Sequence, residues 1–263
     1  MTTNEQQQYR LAFTRFQKRR ELLWTGKIRK AIEQQVKQFT DEYYFTRSTY
    51  SLNAIQPQPL VDALRLLYAD CAKWGNVVYN NLTKKATRKA RMPIGMSEAF
   101  IAEILRYFNV DLLNDVQNID NTTRNNILEA LRIATEKGLG IDDTIKLITD
   151  TAITYNRARV IARTETVTAA NMAASMAADK TGLLLTKTWI SANDSRTRKD
   201  HVHVNGITID KAEAFIVGGF KMMQPGDRGT AAMRTPAKEI VNCRCTVGFE
   251  AKRDNTGRII YAS

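Results

Sequence analysis

At Gly182 the hydrophobic rhythm of this chain changes, and that change limits the folds open to it. Before it, apolar residues recur every three or four positions; Ile28, Ile32 and Val36 mark one face of a helix. After it, "LLLTKTWIS" and "GITID" have the look of strands, and "RCTVGFEAKRDNTGRIIYAS" reads as a hairpin turning at "DNTG". Most of the glycines also lie from Gly182 onward. The expected fold class is α+β, with a mainly helical N-terminal half followed by a smaller α+β region holding a short antiparallel sheet.

The helical part divides at its breakers. A first long run begins near residue 5, and Gly26 is expected to break or bend it. Pro59 suits the first turn of the next helix, inside which Cys71 reads as a small buried apolar residue. Another helix follows Pro93. Two short ones are then expected, the first from Thr122 or Thr123 to Gly138 or Gly140, the second after Asp142. "YNRARVIARTETVTAANMAASMAADKTG" is a long helix ending at Gly182, and its alanine density suits close packing against other helices.

A length of 263 residues allows one large domain or two ordinary ones, and an apolar content of 43% argues against wholesale disorder. No stretch approaches the ~20 apolar residues needed to span a bilayer, so no membrane segment is expected. The polar start "MTTNEQQQYR" lacks an apolar h-region and is read as carrying no signal peptide. Three cysteines without an export signal point to a reducing compartment.

The net charge of +12 favours acidic partners. It is unevenly placed. Residues 1–40 hold nine Lys/Arg against three acids, and "LTKKATRKARMP" carries Lys84, Lys85, Arg88, Lys89 and Arg91 with no acid. These five are the candidate contacts to double-stranded DNA, through the phosphate backbone and without regard to sequence. No groove-reading motif accompanies them, so base-specific recognition is not expected.

Four stretches could carry chemistry: "ARTET" (162–166), "WISANDSRTRKDHVHVNG" (189–206), "QPGD" (224–227) and "EIVNCRC" (239–245). On the helix, Arg163 has no acid and Glu165 no base three or four residues away, so neither is neutralised locally. Asp194, Arg196 and Arg198 are the expected partners, in a structural ion network; a catalytic carboxylate is the other reading of Glu165. If 201–204 is extended, His201 and His203 share one side, as do Cys243 and Cys245 on their own strand. Two imidazoles and two thiolates could hold zinc tetrahedrally, although H-x-H and C-x-C are not standard zinc-finger spacings. A Cys243–Cys245 disulfide would strain the separation a bridge permits. A Cys–His nucleophile would need an oxyanion hole that no motif here marks. Core packing is the plain alternative to all three.

Taken together, "RARVIARTETVTAANMAA", Gly182, "KTWISANDSRTRKDHVHVNG", Phe215, Pro225 and "EIVNCRC" resemble the head-morphogenesis domain of tailed bacteriophages, the Mu F-like minor head protein family. The pattern falls on Arg163, Thr164, Glu165, Trp189, Asp194, Arg196, His201, Gly206, Pro225, Asn242, Cys243, Arg244 and Cys245. It covers roughly residues 120–247; the N-terminal 110 residues match only in being helical. His203 lies outside it, which leaves His201, Cys243 and Cys245, with a carboxylate or water, as the better metal set. Structural zinc is the one cofactor this suggests.

The expected domains are a helical basic arm over residues 1–120, a head-morphogenesis domain over 121–247, which the resemblance implies, and a C-terminal hairpin or tail over 248–263. The resemblance implies a low-copy minor capsid protein that acts by binding rather than catalysis, in the virion head after assembly in the host cytoplasm. Its partners would be the portal protein, major capsid or scaffold proteins, and packaged DNA. Arg163, Thr164, Glu165, Asp194 and Arg196 would form the polar network. Two other functions stay open: a nonspecific DNA-binding protein, and an enzyme delivered with the virion, either metal-dependent or ADP-ribosyltransferase-like.

Overall fold

The helical spacing becomes five helices in a computed structural model that describes residues 1–86, 98–230 and 232–262. They are α1 (Thr3–Thr46), α2 (Gln58–Ala86), α3 (Glu98–Lys137), α4 (Ile141–Ala152) and α5 (Tyr155–Asp179). Two expected breaks are absent. α1 runs straight through Gly26, because buried Trp24, Thr25 and Ile28 hold the turns around it against the roughly 1 kcal/mol that glycine costs a helix. α3 continues through Thr122 and Thr123, whose hydroxyls donate back to the Asn118 and Ile119 carbonyls at 2.9 and 3.0 Å instead of capping a new start. The stop at Gly138 is real: this residue has φ +60°, and the Leu139 amide returns to the Ala134 carbonyl at 2.9 Å.

Beyond Gly182, itself at φ +65°, the chain forms β1 (Leu185–Ile190), α6 (Lys199–His203), β2 (Thr208–Asp210), β3 (Phe215–Val217), β4 (Phe220–Met222), α7 (Ala237–Ile240) and β5 (Thr246–Ala251). β1 is the centre of an antiparallel sheet in the order β2-β1-β5, with Lys187 opposite both Ile209 and Phe249. β3 and β4 make a separate hairpin. After β5 the chain turns back at Asp254–Gly257, and the Asp254 amide donates to the Arg258 carbonyl at 2.9 Å.

The chain divides into two compact units. The first comprises Met1–Glu21, Tyr68–Ile104 and Arg163–Ser263, and holds the sheet. Its core gathers Trp189, Phe215, Val217, Met222 and Val247 with the buried alanines of α5. Gly75 of α2 is required there: a Cβ at that position would lie 2.6 Å from the Ala173 carbonyl oxygen of α5. Trp74 packs edge-on against Tyr9 and Phe13, and Cys71 is fully buried. The second unit, Leu22–Leu67 and Leu105–Ala162, is helical, with Ile28, Ile32, Phe39, Leu64, Phe108 and Ile148 inside. Its buried polar groups pair: Gln35 donates to Asp120 at 2.7 Å, and Arg157 to the Ile119 carbonyl and the Thr123 hydroxyl. No helix among the described residues is long and apolar enough to cross a membrane.

Lys187 of β1 is a charge in this core. It is buried, its Nζ donates to the Met223 carbonyl at 2.9 Å, and it lies over the Phe215 ring. Burial, then repulsion from Lys211, lowers its pKa from 10.5 to about 8, against the pull of Asp227, Asp179 and Glu213. The unfolded chain therefore binds this proton more tightly, and the Lys187 contribution to stability rises with pH between about 8 and 10.5. Urea unfolding of the wild type and Lys187→Met should show their difference moving in the wild type's favour from about pH 7.5 to about pH 10. A difference that stays constant would mean that Lys187 keeps its proton on folding.

Candidate functional site

Successive residues on a helix point about 100° apart, so consecutive motif residues on α5 reach different neighbours. Arg163 grips Glu21 of α1 bidentately, with Nε to Oε2 at 2.9 Å, and its other terminal nitrogen donates to Asn242 Oδ1. Thr164 accepts the Asn242 backbone amide at 2.9 Å. Glu165 turns elsewhere, accepting from the Tyr68 hydroxyl at 2.6 Å and from Arg228 at 2.9 and 3.1 Å. One turn on, Thr168 touches the Gly226 carbonyl so closely that a Cβ on Gly226 (φ +86°) would lie 2.7 Å from the Thr168 hydroxyl.

Asn171 completes this face of α5. Its Nδ2 donates to the carbonyls of Val167, Pro225 and Cys245 at 3.0–3.1 Å, and its Oδ1 accepts from the Thr246 hydroxyl and the Val247 amide. A single buried amide thus ties the Pro225 loop and the start of β5 to the helix.

The closing Asn-Cys-Arg-Cys alternates its contacts. Asn242, held at φ +64°, faces Arg163 and Thr164 of α5. Arg244 makes a two-pronged ion pair with Asp194, with Nη2 to Oδ1 at 2.8 Å. Asp194 in turn accepts from the Arg196 amide and the Thr197 hydroxyl, which closes the loop before α6. Arg244 is the main reason the Asp194 carboxyl is held well below the ordinary carboxylate range.

Cys243 and Cys245 turn to His201. His201 Nδ1 lies 3.4 Å from Cys245 Sγ and 3.6 Å from Cys243 Sγ, and its Nε2 lies 3.1 Å from Glu239 Oε2. All four side chains are buried, and Trp189 stands edge-on to the imidazole at 5.4 Å. The cysteines are not bridged. Hydrogen bonding between the two sulfurs and the neighbouring His201 hold the Cys243 thiol well below its usual pKa against the effect of burial, while the same bond, burial and the Cys243 charge push Cys245 well above. Burial works against protonation of His201, but the hydrogen bond and charge of Cys243, with Glu239, outweigh it and raise the imidazole pKa. The corner can therefore carry a thiolate beside a histidine, the electronic makings of a nucleophile or a metal ligand set. Its burial favours the second use.

Several expectations need correction. Residues 199–203 are helical, so His201 and His203 do not share a side: one is buried and the other exposed. Cys243 and Cys245 precede β5 instead of lying in it, and they meet because the segment folds around His201. Asp194 and Arg196 do not neutralise Arg163 and Glu165; Glu21 and Arg228 do, and Arg196 sits out in solvent 3.7 Å from Asp194. Arg198 donates to the Val241 carbonyl. Of the DNA candidates, Lys84 is exposed near the end of α2 and Lys85 is in that helix, while Arg88, Lys89 and Arg91 lie outside the described residues.

Sequence reasoning missed Glu21, Tyr68, Arg228, Glu239 and Asn171. Glu239 and Arg228 had a faint signal, lying inside or just beside stretches already singled out. Glu21 and Tyr68 had none, since their partners are 142 and 97 residues away.

Comparison with known proteins places this constellation. Residues 125–248 match the family described as Phage Mu protein F like protein, a stretch that takes in α5, β1 to β4, the whole Asn-Cys-Arg-Cys corner and the start of β5. These residues, a little under half of the chain, are similar to that family. That family suggests a phage head-morphogenesis protein of structural character. The chain is also 29% identical over 119 residues to "NAD(+)--arginine ADP-ribosyltransferase EFV" of Enterococcus faecalis (strain ATCC 700802 / V583), covering 41% of this chain. It spans only 23% of that relative's length. No solved structure matches.

Proposed function

We propose that this Mu F-like chain is a minor head protein of a tailed bacteriophage, present in few copies and working near the portal in head assembly and in packaging or ejection of DNA. It acts by binding. The observation that carries the reading is the Mu F-like domain over residues 125–248. In support, the domain's motif residues are spent on the fold: Arg163 and Glu165 are buried in ion pairs with Glu21 and Arg228, and Asp194 is taken by Arg244. The +12 charge fits contact with packaged double-stranded DNA, and the portal and the major capsid or scaffold proteins are the remaining partners. The chain would reside in the virion head after assembly in the host cytoplasm.

The named transferase favours a second reading, an ADP-ribosyltransferase-like enzyme delivered with the virion. Arg163, Thr164 and Glu165 are the residue types that chemistry uses. Here they follow one another on α5, and both charged members are paired inside the fold, an arrangement that suits scaffolding better than holding NAD.

Quantitative mass spectrometry of the parent particle tests the first reading, comparing DNA-filled heads, empty heads and emptied virions. A few copies per head are expected, and their loss on ejection would add delivery with DNA. Absence from every particle would overturn the assignment. With labelled NAD, no transfer by the purified chain is expected; transfer would put the enzyme first.

A further inference from the structure

We propose that His201, Cys243 and Cys245 form a zinc site, with Nδ1 and the two sulfurs as ligands and Glu239 as the group that orients the imidazole. This goes beyond the head-protein reading and does not depend on it.

Three observations carry the proposal. The first is that both sulfurs converge on one nitrogen. A ring nitrogen has a single in-plane direction for a hydrogen bond, so it serves only one of the two sulfurs at 3.4 and 3.6 Å, although Cys243 Sγ also accepts the Cys245 amide at 3.4 Å. A cation placed among the three atoms satisfies all of them.

The second is spacing. Zinc bonds of about 2.1 Å to nitrogen and about 2.3 Å to sulfur, arranged tetrahedrally, put nitrogen and sulfur roughly 3.6 Å apart and two sulfurs roughly 3.8 Å apart. The nitrogen–sulfur distances here already have that value, and all three ligand atoms lie within 4.8 Å of one another. The fold has set the two nitrogen–sulfur edges of the tetrahedron.

The third is Glu239. Nε2 of His201 lies 3.1 Å from Glu239 Oε2, so with the carboxylate accepting a hydrogen bond from Nε2–H the proton stays on Nε2 and the Nδ1 lone pair faces the sulfurs. A carboxylate behind a ligating histidine is the usual way a metal site fixes its tautomer and ring angle. Glu239 is itself buried, and its other oxygen lies 3.7 Å from Lys238 Nζ. Gly218, at φ +55°, leaves space for it: a Cβ there would lie 3.0 Å from Glu239 Oε1.

Two thiolates and one imidazole are a donor set that suits zinc. Their charges balance a dication, and binding displaces the protons the thiols carry. A solvent molecule would complete the tetrahedron. The metal would cross-link α6 to the segment entering β5, positions 44 and 42 residues apart in sequence. Among the described residues, this is the cluster of histidine, cysteine and acidic side chains with metal-ligand spacing.

The test uses the full chain, purified under reducing conditions without chelator. Elemental analysis should find about one zinc per chain. After stripping, Zn2+ should raise the melting temperature in a concentration-dependent way, and Co2+ should bring in a thiolate-to-cobalt charge-transfer band. Glu239→Gln should weaken zinc binding about 10–100-fold while the chain still folds. Cys245→Ser should abolish the cobalt band; if that variant does not fold, Glu239→Gln and the cobalt spectrum of the wild type decide the matter. A reduced, folded chain that takes up no zinc and shows no melting shift would overturn the proposal. So would zinc whose affinity is unchanged in Glu239→Gln, or a cobalt spectrum without thiolate character.

Discussion

Replacing Asn171 by leucine should remove the first unit's ability to hold its sheet on α5. Leucine keeps the branching at Cγ but brings no polar atom, so the hydrogen bonds are lost while the side chain keeps its outline. It takes away both N–H donors and the carbonyl acceptor of the amide, and leaves the Pro225 and Cys245 carbonyls facing a hydrocarbon. Each buried polar group left unpaired costs roughly 1–3 kcal/mol, and several are affected together, so the total is a large part of a domain's stability. The expected result is a lower urea midpoint, with rapid proteolysis between residues 223 and 262. Asn171→Asp keeps the acceptor for Thr246 and Val247 but loses the donors, and it should fare no better. A leucine variant within about 0.5 kcal/mol of wild type would show that the hub contributes nothing.

The second large effect is expected at Glu165. Its carboxylate is buried between Tyr68 and Arg228. Removing one member of a buried ion pair typically costs about 3–5 kcal/mol, because the other charge stays out of water without its counter-ion. Glu165→Leu should destabilise on that scale. The double variant Glu165→Leu, Arg228→Met should recover much of the loss, since two apolar residues can replace such a pair at little cost. Denaturant melts of the four proteins give the coupling directly. Additive effects would mean that the pair is not energetically joined. The same cycle bears on function: a glutamate kept for the fold shows its effect in stability.

These effects explain how much of the site could be read beforehand. The motif residues of α5 were legible as unusual because Arg163 and Glu165 have no opposite charge one helical turn away. That argument requires distant partners but does not name them. Asp194 and Arg196 were the expected partners, yet Arg244 had already claimed Asp194. Glu21 and Tyr68 reach the site only because the start of α1 and the end of α2 belong to the same compact unit as α5 and the sheet. Asn171 lay inside the stretch that carries the resemblance but was not singled out, since an asparagine in an alanine-rich helix reads as a surface residue until its face is known.

The sequence by itself determined the class of the fold, the place where helix gives way to sheet, and the similarity of residues 125–248 to a known family. Those follow from local periodicity, glycine placement and motif order, which need no long-range information. Tertiary structure decided that Gly26, Thr122 and Thr123 stay helical, because neighbouring side chains outweigh a weak local preference. It also decided that His201 and not His203 meets the two cysteines. One helical turn sends those histidines in different directions, and only packing on Trp189 and Glu239 selects which of them is buried.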